Sequence, residues 1–211
     1  MPRKYNSKQT VENIISVSTR LFAEKGYEQT SMQNIVTDLG MSKGAIFHHF
    51  KSKEDIFETV IRRQSELIEQ AMRRLIDEMQ GFSAKDRLVS LLERSVQDEQ
   101  VCSFQGAFSP QLVCPNIIIA NVQNSMSIAA PILAEIMREG VADGSITTDA
   151  PEECAEVFIL LFSVWCTHIV FQCDIPVSNR RLKYLQQIMK KMGADIISDR
   201  LIAKYMHFIQ E

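Results

Sequence analysis

The 211-residue chain carries 23 Lys and Arg against 26 Asp and Glu, a formal net charge of −3, and 45% of its residues are apolar. That composition belongs to a globular protein with enough chain for a proper core, in one domain or two small ones. No apolar run approaches the roughly 18 residues that cross a bilayer, and the basic start MPRKYNSKQT has no apolar stretch after it, so a cytoplasmic, membrane-free protein is expected.

Charge is divided unevenly along the chain. Residues 1–53 hold eight Lys/Arg against four Asp/Glu, whereas residues 54–211 hold fifteen against twenty-two. A basic head on an acidic body fits a nucleic-acid-binding module joined to something else. Residues 1–6 read as a basic arm in which Arg3 and Lys4 can touch phosphates. From Ser7 a first helix is predicted, with Val11, Ile14, Ile15, Leu21 and Phe22 on one stripe and Gly26 as its stop. Thr30-Ser31-Met32-Gln33 reads as a capping box, and Met32, Ile35, Val36 and Leu39 then share one helical face until Gly40. Ser42 can cap a third helix from Lys43 to about Phe50, with Ile46 and Phe50 inward. Two short helices joined by a Gly-containing turn form a helix-turn-helix, whose second member can enter the major groove. Lys43, Gly44 and Ala45 put a cation and two tiny side chains at the exposed start of that member, where backbone can come close to a phosphate. His48 and His49 follow on the outer side, where imidazoles can bond phosphates or base edges.

The run Ser42-Lys43-Gly44-Ala45-Ile46-Phe47-His48-His49-Phe50-Lys51-Ser52-Lys53-Glu54 resembles the signature of the tetracycline-repressor (TetR) family of bacterial regulators. Leu21-Phe22-Ala23-Glu24-Lys25-Gly26-Tyr27 and Thr30-Ser31-Met32-Gln33-Asn34-Ile35 match it as well, so the likeness covers about residues 8–60. Together with the residue reading, it gives the expected DNA contacts: Thr30, Gln33, Ser42, Lys43, Gly44, Ala45, Phe47, His48, His49 and Lys53. One departure stands out. Where the family usually has a Tyr whose hydroxyl reaches a phosphate, this chain has Phe47. Restoring the hydroxyl is expected to tighten binding, unless Phe47 packs inward or reads a thymine methyl.

Beyond the head, Ser52-Lys53-Glu54-Asp55 reads as another helix start with acids in its first turn. A periodic run from Ile56 to Met79, ending at Gly81, predicts about 27 residues and roughly 40 Å of helix. A helix that long links head to body and is the natural lever between them. Leu88, Leu91, Leu92 and Val96 mark the next segment, and residues 102–115, with one Gly and two Pro, should break into turns. Helix resumes from Asn116 to about Asp143, with a kink expected at Pro131. Pro151 opens the most apolar helix, running to about Cys173, and two more helices occupy 179–192 and 195–209, divided at Gly193. No strand signal, repeat or low-complexity tract is present.

The expected architecture is therefore all-α. An N-terminal three-helix helix-turn-helix domain (residues 8–68, the motif itself 31–50) is joined by a long helix to a ligand-binding and dimerisation body (residues 69–211). Phe104, Phe108, Phe158, Phe162, Trp165, Phe171, Met126 and Met137 offer a soft lining for an apolar effector, with His168 as a polar member. They can equally be plain core; the resemblance implies that a small molecule binds among these middle helices. A helix greasy on every face must be covered on all sides, so Leu161 and Val164, with the stripe Leu182, Leu185, Ile188, Met189 and Met192, are expected to meet a second copy in a four-helix bundle. The resemblance implies a homodimeric, ligand-responsive repressor on a palindromic operator. The rival is a DNA-anchored interaction protein on the same scaffold with a filled pocket and a protein partner. Five scattered cysteines without a CxxC pair read as reduced thiols, and no nucleophile elbow, phosphate loop or metal-ligand spacing is present. Neither catalysis, a cofactor nor a metal is expected.

Overall fold

A computed structural model describes residues 7–98, 115–167, 171 and 173–210, with helices and no strand among them. The chain divides into two compact units: one boundary falls between Glu66 and Leu67, and residues 115–117, further along the chain, group with the first unit.

In the first unit, α1 (Ser7–Lys25) buries Ile14, Ile15, Leu21 and Phe22. α2 (Met32–Leu39) adds Ile35 and Val36, and α3 (Lys43–Phe47) adds Ile46. The opening turns of α4 (Lys53–Asp77) complete the core with Ile56, Phe57, Val60 and Ile61. Three rings lock the corner: Tyr27 lies 5.5 Å from Phe22 and 4.6 Å from Phe57, centroid to centroid, and Phe22 meets Phe57 edge-on at 5.7 Å. Such pairs add about 0.5–1.5 kcal/mol each beyond burial. The Tyr27 hydroxyl donates to Glu54 Oε1 at 3.0 Å. A backbone amide, Tyr27 and Ser52 hold the Glu54 carboxyl below the usual carboxylate range.

The second unit takes the rest of α4, then α5 (Ala84–Ser95), α6 (Pro115–Asn124) from Ile118 onward, α7 (Ala130–Asp143), α8 (Pro151–Leu160), α9 (Ile175–Lys191) and α10 (Asp199–Phe208). Its core runs through Leu88, Leu91, Leu133, Met137, Phe158, Leu185 and Leu201. Asp143 Oδ2 accepts from the Ala84 amide at 2.9 Å, so the end of α7 caps the start of α5. Gly193, at φ 82°, ends the turn after α9, and its carbonyl accepts from the Thr147 amide at 2.9 Å.

Several boundaries differ from the sequence reading. α4 ends at Asp77, ahead of Gly81. α9 starts at Ile175, because Asp174 caps it and Pro176 fits its first turn. α10 starts at Asp199 under a Ser198 cap. The irregularity expected at Pro131 is a π turn, Ser125–Ala129, placed just ahead of a residue that cannot donate to the ladder. A second π turn, Leu161–Trp165, interrupts what read as one helix to Cys173. Hydroxyls explain it: Ser163 Oγ donates to the Ile159 carbonyl at 2.6 Å, and Thr167 Oγ1 to that of Ser163 at 3.3 Å, both competing with the ladder. The predicted break over 102–115 lies, up to Cys114, outside the described residues, as do Arg3 and Lys4.

Candidate nucleic-acid interface

Each end of α2 and α3 is fixed by local polar chemistry. At the start of α2, Ser31 Oγ accepts from the Asn34 amide at 3.1 Å, and Asn34 Oδ1 accepts from the Ser31 amide at 2.8 Å. This capping box lies one residue beyond the expected one. Thr30 is 1% exposed, and its hydroxyl is aimed at the Leu21 and Gly26 carbonyls, at 3.2 and 2.8 Å. It braces the end of α1, so it is removed from the set of DNA contacts. Gly40 closes α2 at φ 62°, a left-handed turn that glycine adopts without steric cost.

Ser42 then caps α3, accepting from the Ala45 amide at 3.3 Å. α3 is shorter than expected: Phe47 is its last residue, and the chain turns through His48 and His49 to the buried Phe50. With Ile46 and Phe50 inward, Ser42, Lys43, Gly44, Phe47 and His48 are exposed, and Ala45 and His49 are half-buried. On α2, Gln33 is exposed and bonds Thr37 Oγ1 at 3.4 Å. Lys43 Nζ stands 5.6 Å from the Phe47 ring centroid, and the two imidazoles meet edge-on at 5.1 Å.

Gly44 has an ordinary φ, and a Cβ built there meets nothing within 4 Å. Nothing inside the fold therefore requires glycine, although it costs about 1 kcal/mol against Ala in a helix. Lys53 behaves differently from the expectation. Its ammonium donates to the Tyr27 carbonyl at 2.8 Å and lies 4.1 Å from that ring's centroid. An internal carbonyl 26 residues away thus holds the charge expected on a phosphate.

Of the expected pocket residues, Phe104, Phe108 and His168 lie outside the described residues. Phe158 is fully buried and stacks on the half-buried Phe162 at 5.4 Å, which in turn meets Tyr205 at 5.2 Å. Met137 is fully buried, and Met126 is half-buried against the same core. The Arg181 guanidinium lies over Trp165 and the exposed Phe171, at 5.5 and 5.2 Å, and donates to the Trp165 carbonyl at 2.7 Å. Tyr205 and Arg181 were not singled out from sequence; Tyr205 follows Leu201 by four on one stripe, a signal that could have found it.

The dimer stripe needs correcting. Leu182, Leu185 and Met189 are all 0% exposed, covered by the chain's own core, so they are withdrawn as interface residues. Leu161, Val164, Ile188 and Met192 are half-buried. On α8 and α9 the large apolar groups left exposed are Leu160, Ile175 and Tyr184, at 45%, 37% and 58%. Burial pushes the Cys166 thiol up to about 12. No helix among the described residues is long and apolar enough to cross a membrane.

Comparison with known proteins agrees with this geometry. The family model described as bacterial regulatory proteins, tetR family, matches residues 14–60. The HTH-type transcriptional repressor KstR2 of Mycolicibacterium smegmatis is 25% identical over 153 residues, covering 70% of this chain and 73% of that protein. The HTH-type transcriptional repressor AcnR of Corynebacterium glutamicum is 27% identical over 157 residues, covering 73% and 76%. Among solved structures, a transcriptional regulator of the TetR/AcrR family from Thermobifida fusca superposes with a TM-score of 0.59 at 21% identity, over 90% of this chain and 100% of that one, a likeness of fold.

Proposed function

We propose that this chain, which belongs to the tetR family of bacterial regulatory proteins, represses transcription by holding duplex DNA against the outward face of α3. The observation that carries the reading is Gly44, exposed beside Lys43, Phe47 and His48 where the fold itself has no need of glycine. A missing Cβ there lets backbone approach a phosphate or base edge. Lys43 supplies the cation, Ser42 can donate its hydroxyl hydrogen while its oxygen caps, and Gln33, Ala45, Phe47, His48 and His49 complete the contact set. Lys53 supports the surface by holding Tyr27 in place.

The domain assignment follows: residues 8–68 bind DNA, and residues 69–211 bind an effector and dimerise. A small apolar or amphipathic molecule is the effector class, received near Met126, Phe162 and Trp165, with Phe158 as a wall. The homodimer forms through the outer faces of α8, the π turn after it and α9, where Leu160, Leu161, Val164, Tyr184 and Ile188 would be covered. Two heads so paired must match half-sites a fixed distance apart on a palindrome, so an effector that changes their spacing weakens both contacts together. That role places the protein in the cytoplasm, as a regulator and not an enzyme. Repressors among its relatives, KstR2 and AcnR, support this reading.

Selection from a random duplex pool tests it. Repeated capture by the purified chain should enrich an inverted repeat. Sequences enriched without two-fold symmetry would contradict the paired-head model, and no enrichment at all would contradict DNA recognition.

A further inference from the structure

We infer that Phe47 reads the C5-methyl group of thymine in the major groove, an inference that rests on the DNA-binding reading above. Phe47 is 39% exposed, which excludes the inward packing that would have made it core. It shares the outward face of α3 with Lys43, Gly44 and His48, while Ile46 and Phe50 fill the core.

An all-carbon ring cannot hydrogen-bond a phosphate, a sugar or a base heteroatom. Along the major groove the base edges offer donors and acceptors, and the one apolar group among them is the thymine methyl. Lys43, one turn earlier, sets its ammonium 5.6 Å from the ring centroid, so the pair presents a cation and an apolar surface side by side. Gly44, three residues before Phe47, adds no side chain to that face, and nothing within the fold lies within 4 Å of where its Cβ would be. A base pair can therefore approach the ring's flank. Position 47 thus selects thymine itself, where a hydroxyl-bearing ring would anchor to backbone without regard to sequence.

Deoxyuridine tests this cleanly, because it deletes the methyl and keeps the hydrogen-bonding edge. In duplexes enriched by the wild-type chain, each thymine of the repeat is replaced singly by deoxyuridine and affinity is read by fluorescence anisotropy. One thymine in each half-site should weaken wild-type binding by about fourfold, the scale of one buried methyl group. Phe47→Ala should bind more weakly overall and respond equally to thymine and deoxyuridine at that position. Phe47→Leu, which keeps an apolar surface, should retain part of the discrimination, and thermal melts confirm that both variants fold. Affinities unchanged at every replaced thymine would overturn the inference while leaving DNA recognition intact. So would a loss that persists undiminished in Phe47→Ala. A wild-type chain that binds no duplex overturns both.

Discussion

In the first unit a five-residue helix buries Ile46 and leaves Phe47 outside; in the second a seventeen-residue helix buries Leu182, Leu185 and Met189 and leaves Tyr184 outside. The two exposures arise differently. α3 is held by caps at Ser42 and by its neighbours' cores, so its outer face carries no packing duty and is free to present chemistry. α9 is held by its apolar stripe, so Leu182, Leu185 and Met189 are committed to the core, Val177 and Ile188 are half-buried, and Ile175 and Tyr184 are left exposed. Among the described residues the first unit leaves one large apolar side chain exposed, Phe47, whereas the second leaves eight, Leu160, Ile175 and Tyr184 among them, so the question of what an apolar residue touches outside is sharpest at Phe47.

Paired charges on α9 give the largest expected effect. Leu185→Glu puts an unpartnered carboxylate at a fully buried site and removes a core side chain, so it should cost at least ~3–5 kcal/mol and unfold the second unit. Tyr184→Glu, one residue back, should leave the thermal melt nearly unchanged and instead shift sedimentation from dimer towards monomer. Equal melts for the two variants would erase the distinction between inner and outer face.

Glycines separate the units next. Gly40 and Gly193 both have positive φ, but a Cβ at Gly40 meets nothing within 4 Å, whereas at Gly193 it falls 2.7 Å from the backbone of Thr147 and Thr148. Gly193→Ala should cost about 3 kcal/mol, left-handed strain plus overpacking, and Gly40→Ala about 1 kcal/mol. Denaturant melts of both variants decide this, and a Gly40 cost at or above that of Gly193 would contradict it.

Gly44→Ala is the smallest effect and the most telling sign. Because the fold gains from alanine there, stability should rise by about 0.5–1 kcal/mol while affinity for DNA falls. Improved stability with unchanged affinity would mean that nothing approaches Gly44 closely.

Much of the first unit was legible because caps and stops are local. Ser31, Gly40, Ser42 and the inward Ile35, Ile46 and Phe50 follow from neighbours a few residues away. The slip from Ser31 to Thr30 came from two adjacent hydroxyls fitting one pattern; what separates them is that Thr30 points at carbonyls of Leu21 and Gly26. The internal partner of Lys53 was hidden for a similar reason, since Tyr27 lies 26 residues back. In the second unit the stripe through Leu182, Leu185 and Met189 announces an apolar face but not whether the chain's own helices or another copy will cover it. Pro131 forecast an irregular turn, whereas the one at Leu161–Trp165 depends on which way the Ser163 and Thr167 hydroxyls point, and no periodicity records that.

The central claim, that α3 holds DNA by its outward face, is tested most directly by titrating a labelled, pool-selected duplex with wild-type chain and Lys43→Ala at rising salt. Wild-type affinity should fall steeply, and in Lys43→Ala it should be weaker at every salt, with a log–log slope shallower by about 0.9 for each Lys43 removed. Identical affinities and slopes for the two proteins would contradict the account.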